Sequence, residues 1–282
     1  MNKIGFVDLY LSEWHANNYP QWIKDYCQQC GLQYEVCYAW ADKDVSPVDN
    51  RTTDQWCKDL NIAKCDTIKE LCEKSDFIIL LAPSNPEEHL RLAKMTFEHA
   101  KGKRMYIDKT FAPDLETAKE IYRLAEENNI KFFSTSALRY ASELNGIENA
   151  KTITTKGRGR LMVEYIIHQI EMVVKTMGVG ASRVKCDKIE DTDMTFDIEY
   201  LDGRVAKMHF CKEGFGVELV KSDGTKLNTN IESEFFKILI SKIIIFFQTG
   251  EIDFAKEQTL EVIKIREAVI KSEENLGKWI QM

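Results

Sequence analysis

The first half of the chain alternates apolar runs with amphipathic stretches, and this alternation limits the folds that it can adopt. Residues 76–82 read Asp-Phe-Ile-Ile-Leu-Leu-Ala, a continuous apolar run. Such a run is typical of a strand buried on both faces, as in a parallel sheet. Residues 115–127 place apolar side chains on one face of a helix. Further strands are predicted at residues 3–7, 34–40, 104–108 and 131–136. The pattern predicts an α/β fold with a doubly wound parallel sheet of the Rossmann type.

The second half has a different pattern. Residues 161–177 have a helical period, and residues 184–220 alternate like antiparallel strands, with a hairpin signal at Leu201-Asp-Gly-Arg204. Helices are predicted at 232–249 and 259–275. We therefore predict a Rossmann-type domain over residues 1–137 and an α+β domain with a largely antiparallel sheet over residues 138–282.

Composition excludes several classes of protein. The net charge of −7 argues against broad nucleic-acid binding, which needs clustered Lys and Arg. The most apolar stretch, residues 235–247, is shorter than the ~20 residues that span a bilayer, so we expect a buried helix and no membrane partner. The N-terminus has no signal-peptide pattern. Eight cysteines do not make a disulfide scaffold in a chain of this length, and Cys27-Gln-Gln-Cys30 is either a pair of core thiols or an isolated metal or redox motif. We expect a cytoplasmic protein without a metal site.

A decapeptide, Arg104-Met-Tyr-Ile-Asp-Lys-Thr-Phe-Ala-Pro113, ends one of the predicted strands. Asp108, Lys109 and Thr110 follow at its carboxyl end, where open α/β sheets bind ligands. A lysine in this position is a proton donor, an electrostatic clamp or an ordinary surface charge.

Five segments, in their order and spacing, resemble the Gfo/Idh/MocA family of oxidoreductases, named for glucose-fructose oxidoreductase and inositol dehydrogenase. The segments are Ala39-Trp-Ala-Asp-Lys-Asp44, Ala82-Pro-Ser-Asn-Pro-Glu-Glu-His89, Asp108-Lys109-Thr110, Glu164-Tyr-Ile-Ile-His168 and Phe246-Phe-Gln-Thr-Gly-Glu251. Asp108-Lys109-Thr110 stands where the family has Glu-Lys-Pro, and Glu164 with His168 matches its Asp-x-x-x-His. The resemblance implies a dinucleotide-binding first domain and a second domain for substrate binding or oligomerisation, commonly in a dimer or tetramer.

The resemblance fails at the glycine-rich dinucleotide loop. After the first predicted strand, Asp8, Tyr10 and Glu13 occupy the three glycine places. Glycines there allow a tight turn and close approach to a pyrophosphate, whereas Asp8 and Glu13 bring negative charge near an anion. Either the loop is splayed with its carboxylates turned away, or the usual dinucleotide binding is lost.

The resemblance implies catalytic roles for three residues. Lys109 would lie between nicotinamide and substrate and would stabilise the reacting oxygen. His168 would act as the general acid or base, and Glu164, on the same helix face, would orient it. The alternative for His168 is a buried histidine satisfied by local partners.

The resemblance also implies cofactor and substrate contacts. Asp42 would bind the ribose hydroxyls and favour NAD slightly over NADP, although Lys43 follows it and Asp42 is otherwise a solvated turn residue. His89 is as readily structural as functional. Arg139 and Tyr140 would contact substrate or form a hinge salt bridge, and Trp14 would stack on a sugar or pack against its own helix. The remaining cofactor contacts are expected from Asp8, Tyr10, Leu11, Pro83, Ser84, Asn85 and Asp108.

The sequence therefore predicts an oxidoreductase that uses NAD or NADP to transfer hydride to or from a sugar-like or polyol-like substrate. The alternative is a ligand-sensing or structural member of the same fold, without catalysis or the usual dinucleotide binding. The altered glycine loop is the feature that favours this alternative.

Overall fold

The computed structural model describes residues 1–190 and 193–282, and the side chains of all of these except 188–190. By their contacts the residues group into two compact units. The first contains residues 1–112, 116–134 and 239–253, and the second contains residues 113–115, 135–238 and 254–282. The predicted boundary between residues 137 and 138 remains a sequence prediction, since the first unit also takes in the later segment 239–253.

The first unit is built on a six-stranded sheet in which every described pair of neighbouring strands is parallel. Its strands are β1 (Asn2–Asp8), β2 (Tyr34–Ala41), β3 (Ala63–Lys64), β4 (Phe77–Leu80), β5 (Arg104–Ile107) and β6 (Lys131–Phe133). They lie in the order β3-β2-β1-β4-β5-β6. This order makes β1 and β4 the switch point of a doubly wound sheet, where ligands of such folds bind.

Five helices connect these strands. They are α1 (Trp14–Cys30), α2 (Thr53–Leu60), α3 (Ile68–Lys74), α4 (Pro86–Phe97) and α5 (Leu115–Glu127). Gly31, in the left-handed region at φ +66°, ends α1, and a capping box of Thr52 and Gln55 begins α2. The predicted α/β class of the first domain is confirmed.

The apolar helix near the C-terminus supplies the later segment of the first unit. It is α7 (Phe235–Thr249), and its Phe247 ring stacks on Phe77 with 4.7 Å between centroids. Phe246 packs edge-on against Phe133. Arg104 donates a 2.9 Å hydrogen bond to the Gln248 carbonyl. The apolar run predicted to be a buried helix is therefore one. No helix in the described part of the chain meets the length and hydropathy that a bilayer crossing requires.

The second unit has a seven-stranded sheet in the order β12-β11-β7-β10-β9-β8-β13. Its strands are β7 (Thr152–Gly157), β8 (Ala181–Glu190), β9 (Asp193–Tyr200), β10 (Val205–Phe210), β11 (Gly216–Val220), β12 (Lys226–Asn230) and β13 (Ile280–Gln281). Among these described strands, β7 and β10 pair in parallel and the other pairs are antiparallel. Two long helices, α6 (Met162–Met177) and α8 (Lys256–Glu273), pack on the sheet and on each other. The largely antiparallel α+β class is confirmed.

Candidate functional site

The carboxyl ends of β1 and β4 are joined by the Asp8 side chain. Its Oδ1 atom accepts hydrogen bonds from the backbone N–H of Leu9 at 2.7 Å and of Ala82 at 3.0 Å. Its Oδ2 atom is buried and has no hydrogen-bond partner among the described residues. Burial raises the pKa of Asp8 well above its ordinary value, and the nearby carboxylate of Glu13 raises it further. Burial and the neighbouring Glu13 therefore both favour the protonated form of Asp8.

Lys109 lies at the carboxyl end of β5, where the sequence predicts it. Its side chain is partly buried, and Nζ donates to the Pro83 carbonyl at 3.3 Å. The Thr110 N–H donates to the same Pro83 carbonyl at 3.2 Å. The peptide bond between Lys109 and Thr110 is cis. The turn after β4 therefore fixes both the backbone and the ammonium group at the end of β5.

A buried histidine–carboxylate contact that the sequence did not reveal joins α1 to the end of β5. His15 Nδ1 bonds Asp108 Oδ2, and Asp108 Oδ1 accepts from the Lys109 N–H at 2.8 Å and from the Tyr106 hydroxyl at 3.2 Å. Burial alone would raise the pKa of Asp108. The charges of His15 and Lys109 and their hydrogen bonds outweigh it and lower that pKa below its ordinary value. Asp108 is therefore held as a carboxylate next to Lys109.

The first turn of α1 is capped by the chain's own carboxylate. Glu13 accepts from the backbone N–H of His15 at 2.8 Å and from that of Ala16. Burial raises the pKa of Glu13, although the His15 charge and these two N–H groups oppose the shift. A carboxylate in this place satisfies the N–H groups that a helix otherwise offers to an anion.

These residues do not fit a diphosphate held by the N-terminus of α1. The two N–H groups are bonded to Glu13, and Asp8 adds a second buried carboxyl group. Leu9 and Leu11 are also buried in the connection between β1 and α1. Tyr10 is half-buried there. The loop therefore packs into the place that glycines leave open in a dinucleotide-binding turn.

Asp42 follows the carboxyl end of β2, as predicted, and is bonded to a cation. Its two carboxylate oxygens accept from Arg91 at 3.1 and 2.8 Å, and Arg91 also donates to Glu88 at 2.7 Å. A ribose that bonded Asp42 would compete with Arg91 for these oxygens. The ribose contact remains a prediction.

The turn after β4 holds three predicted cofactor contacts and His89. Ser84 is exposed and Asn85 half-exposed, at the start of α4. His89 is completely buried, with Nδ1 2.9 Å from the Phe111 carbonyl and Nε2 2.6 Å from the Leu81 carbonyl. Burial lowers the pKa of His89 despite these two carbonyls. Because both ring nitrogens face main-chain oxygens, this geometry favours the structural role of His89.

Trp14 begins α1 and is about half exposed, at 51%. Its indole packs edge-on against Trp22 at 5.4 Å and against the His15 ring at 5.2 Å. The exposed part of the ring offers a surface for stacking, so the predicted substrate contact remains open.

In the second unit, α6 carries the predicted acid–base histidine. His168 is buried, and its Nδ1 lies 2.6 Å from the Ser136 hydroxyl, which also accepts from the Leu138 N–H at 3.2 Å. The ring packs against Tyr165 and Phe215, each at 5.7 Å between centroids. Ser136 and these two aromatic rings fix the orientation of the imidazole.

The carboxylates near His168 bond arginines. Glu164, expected to orient His168, bonds Arg160 at 3.1 and 3.2 Å. Glu171 accepts from Arg139 Nε at 2.9 Å and from the Ser136 N–H at 3.0 Å. Ser136 therefore supplies a hydrogen bond that positions His168, and the catalytic role of Glu164 remains a prediction.

Arg139 belongs to a buried network inside the second unit. Besides Glu171, it bonds the Gln258 side chain at 2.7 Å and lies over the Phe254 ring at 4.1 Å. Tyr140 is buried beside it. These contacts favour the salt-bridge interpretation of Arg139 over a substrate contact.

The structure brings Asp8, Pro83, Asp108 and Lys109 together in the first unit, and places His168 in the second. Sequence reasoning missed His15 and Ser136. His15 could have been suspected from its spacing to Tyr19, since the two rings share a helix face and stack at 5.1 Å. Among the described residues, no group of histidine, cysteine, aspartate or glutamate is arranged to hold a metal ion.

Several known structures with similar folds are described as dehydrogenases. GenD2 from gentamicin A biosynthesis, in complex with NAD, superposes with a TM-score of 0.77 at 11% identity, over 100% of this chain and 97% of that one. The scyllo-inositol dehydrogenase of Lactobacillus casei, with bound NAD(H) and scyllo-inositol, gives 0.74 at 14% identity, over 99% and 98%. The dehydrogenase MviM of Clostridium difficile gives 0.72 at 16% identity, over 96% and 99%.

The chain has the same fold as these three proteins. No protein-family model and no curated protein sequence matches it. At identities of 11 to 16%, the structural likeness establishes the fold and leaves the activity to the residues of this chain.

Proposed function

We propose that the chain is an oxidoreductase that interconverts a hydroxyl and a carbonyl group on a sugar-like or polyol-like substrate, with a nicotinamide dinucleotide as hydride carrier. One observation carries the proposal. Lys109 lies at the carboxyl end of β5 in a sheet of this strand order, with its ammonium group fixed on the turn after β4. In folds of this kind that edge of the sheet binds the ligand.

Lys109 supplies positive charge where the substrate oxygen would react. An ammonium group stabilises the negative charge that develops on an alkoxide, and effects of this kind are worth several kcal/mol in a water-poor site. The neighbouring Asp108 carboxylate accepts the Lys109 N–H at 2.8 Å, which fixes the backbone that carries the ammonium group.

His168 supplies the second proposed proton-transfer group. Its imidazole is buried, and the Ser136 hydroxyl holds Nδ1 at 2.6 Å. An imidazole that is fixed in this way can take the proton of a hydroxyl during oxidation and return it during reduction. Glu164 bonds Arg160, so it would influence His168 through its negative charge and not through a hydrogen bond to the imidazole ring.

The cofactor assignment rests on the fold and on the proteins that share it, two of which are described with NAD. The N-terminus of α1 does not fit a diphosphate, because Glu13 occupies its N–H groups. The proposal therefore gives that helix end no role in binding. NAD is preferred slightly over NADP because of Asp42, although Arg91 offsets its charge.

Calorimetric titration with NAD and NADP tests the cofactor assignment. We expect NAD to bind at millimolar concentration or below, more weakly than to a glycine-rich turn. If neither dinucleotide binds, the oxidoreductase proposal fails, and a non-catalytic ligand-sensing role takes its place.

Turnover of a panel of sugars and polyols tests the two proton-transfer groups. We expect Lys109→Met and His168→Gln each to reduce kcat by about 100-fold or more, the usual contribution of a positioned acid or base. Lys101→Met and His99→Gln are matched controls, since both residues are exposed on the surface of the first unit. Unchanged kcat in the two site variants would contradict the assignment.

A further inference from the structure

A cavity of about 440 Å³ in the second unit is lined by cations and aromatic rings. Arg158, Arg160 and Lys212 supply the cations, and Tyr165 and Phe215 supply the rings. The volume is within the range of small-molecule sites, roughly 300–1,000 Å³. A concentration of positive charge here is notable because the chain as a whole carries a net charge of −7.

No carboxylate lines this cavity among the described residues. Glu164 lies close by and bonds Arg160 at 3.1 Å, so it offsets one of the three cations. Glu213 follows Lys212 in sequence but bonds Lys156 at 2.6 Å. The two remaining cations, Arg158 and Lys212, are exposed and give the cavity a positive potential.

The aromatic walls connect the cavity to the proposed acid–base histidine. The His168 ring packs against both Tyr165 and Phe215, each at 5.7 Å between centroids. A ligand that contacts these two rings is therefore one residue layer from His168. Aromatic faces also suit the carbon skeleton of a sugar or polyol ring.

Two glycines make this arrangement possible. A Cβ atom on Gly159 would lie 2.1 Å from the Tyr165 side chain, and one on Gly157 would lie 2.4 Å from the Phe215 ring. Any side chain at these positions would push the two rings away. The sequence Gly157-Arg-Gly-Arg160 thus sets two arginines beside two closely packed aromatic rings.

The helix that follows adds to the positive potential. α6 begins at Met162, two residues after Arg160, and its N-cap residue Leu161 provides no side-chain hydrogen bond. The N-terminal end of a helix carries a partial positive charge, which favours an anion nearby. This partial charge adds to the positive charge of the arginines.

We infer that this cavity binds the oxyanion group, carboxylate or phosphate, of an acidic sugar or polyol that is the substrate. The inference rests on the proposed oxidoreductase function and names its substrate class. Arg158 and Lys212 bind the oxyanion, with the guanidinium able to engage two oxygens at once. Tyr165 and Phe215 hold the carbon skeleton next to His168.

Calorimetry on the full chain at low ionic strength tests this inference without any turnover. The probes are inorganic phosphate, glucose 6-phosphate and glucuronate, with glucose and myo-inositol as neutral counterparts. We expect at least one of the acidic sugars to bind ten-fold or more tightly than glucose. The arm that binds best identifies phosphate or carboxylate as the natural group. Equal binding of acidic and neutral compounds would overturn the inference.

Variants locate the binding. Arg158→Gln and Lys212→Gln should each weaken the binding of the acidic sugar by about ten-fold and leave the weak binding of glucose unchanged. Lys226→Gln removes an exposed cation of the same unit outside the cavity and should have no effect. Gly159→Ala should abolish binding while circular dichroism shows a folded chain. Retained affinity in both cation variants would overturn the assignment of the cavity.

The two proposals fail in different ways. If the acidic sugar binds at the cavity but NAD and NADP do not bind at all, the cavity assignment stands and the oxidoreductase proposal is wrong. The opposite result has three parts: the enzyme oxidises neutral polyols, Arg158→Gln leaves their kcat/KM unchanged, and acidic sugars do not bind. In that case the oxidoreductase proposal stands and the cavity assignment is wrong.

Discussion

Replacement of His15 by phenylalanine tests whether its contact with Asp108 is a desolvated ion pair. Both residues are buried, and phenylalanine keeps the ring that stacks on Tyr19. Removal of one partner from a buried ion pair costs about 3–5 kcal/mol. Because the Tyr106 hydroxyl and the Lys109 N–H still donate to Asp108, we expect the lower end, about 3 kcal/mol.

The assay is urea unfolding of the wild type, His15→Phe, Asp108→Asn and the double variant. The double variant should recover about 2 kcal/mol relative to the sum of the single changes, since the carboxylate that needs a cation is gone. Additive single effects, or a loss below about 1 kcal/mol in His15→Phe, would refute the pair as described.

The pH dependence of the same experiment has a definite sign. In the wild type, burial is outweighed by His15 and Lys109, so the folded pKa of Asp108 is lowered. Ionised Asp108 therefore stabilises the folded wild type above its unfolded pKa, and this stability is lost as pH falls through the lowered folded pKa. Without His15, burial dominates and the folded pKa of Asp108 rises. The variant then gains stability as pH falls through this raised pKa, so its difference from the wild type should narrow in acid.

Two further predictions concern the carboxyl groups between β1 and α1. The folded pKa of Asp8 is raised, so its stabilisation is present at low pH and is lost as pH rises through that value. Asp8→Asn should therefore raise stability at alkaline pH by about 1 kcal/mol, a gain that disappears in acid in a thermal-shift series. Glu13→Ala removes both the charge and the acceptor oxygens at the start of α1, and should tighten the binding of inorganic pyrophosphate by about ten-fold in calorimetry. Unchanged pyrophosphate affinity would show that Glu13 does not close that helix end.

The sheet of the first unit could be predicted because its strands are buried on both faces. A continuous apolar run such as residues 76–82 has few other places in a folded chain. The position of Lys109 followed from the same reasoning, since it comes directly after such a strand. In contrast, β7 was not predicted, because Thr152-Ile-Thr-Thr-Lys-Gly157 is mostly polar and only alternate residues are buried.

The partners of the site residues could not be predicted, because they come from distant parts of the sequence. Ser136 reaches His168 from 32 residues away, and His15 reaches Asp108 from 93 residues away. Helical spacing pointed to Glu164 as the partner of His168. Arg160 lies four residues before Glu164, at the same spacing, and Glu164 forms its ion pair with Arg160. Periodicity identifies which side chains can meet, and competition among them decides which do.

The altered turn after β1 and the lysine at the end of β5 are physically linked. Glu13 bonds the His15 N–H, the His15 ring bonds Asp108, and Asp108 accepts the Lys109 N–H. The first step depends on Glu13, which stands at one of the glycine places of an open dinucleotide-binding turn. Glu13 therefore has two effects. It closes the N-terminus of α1 to a diphosphate, and it begins the buried contacts that fix the backbone of Lys109. A mutation that reopens α1 to an anion should also loosen Lys109, so cofactor affinity and lysine position cannot be improved independently through this turn.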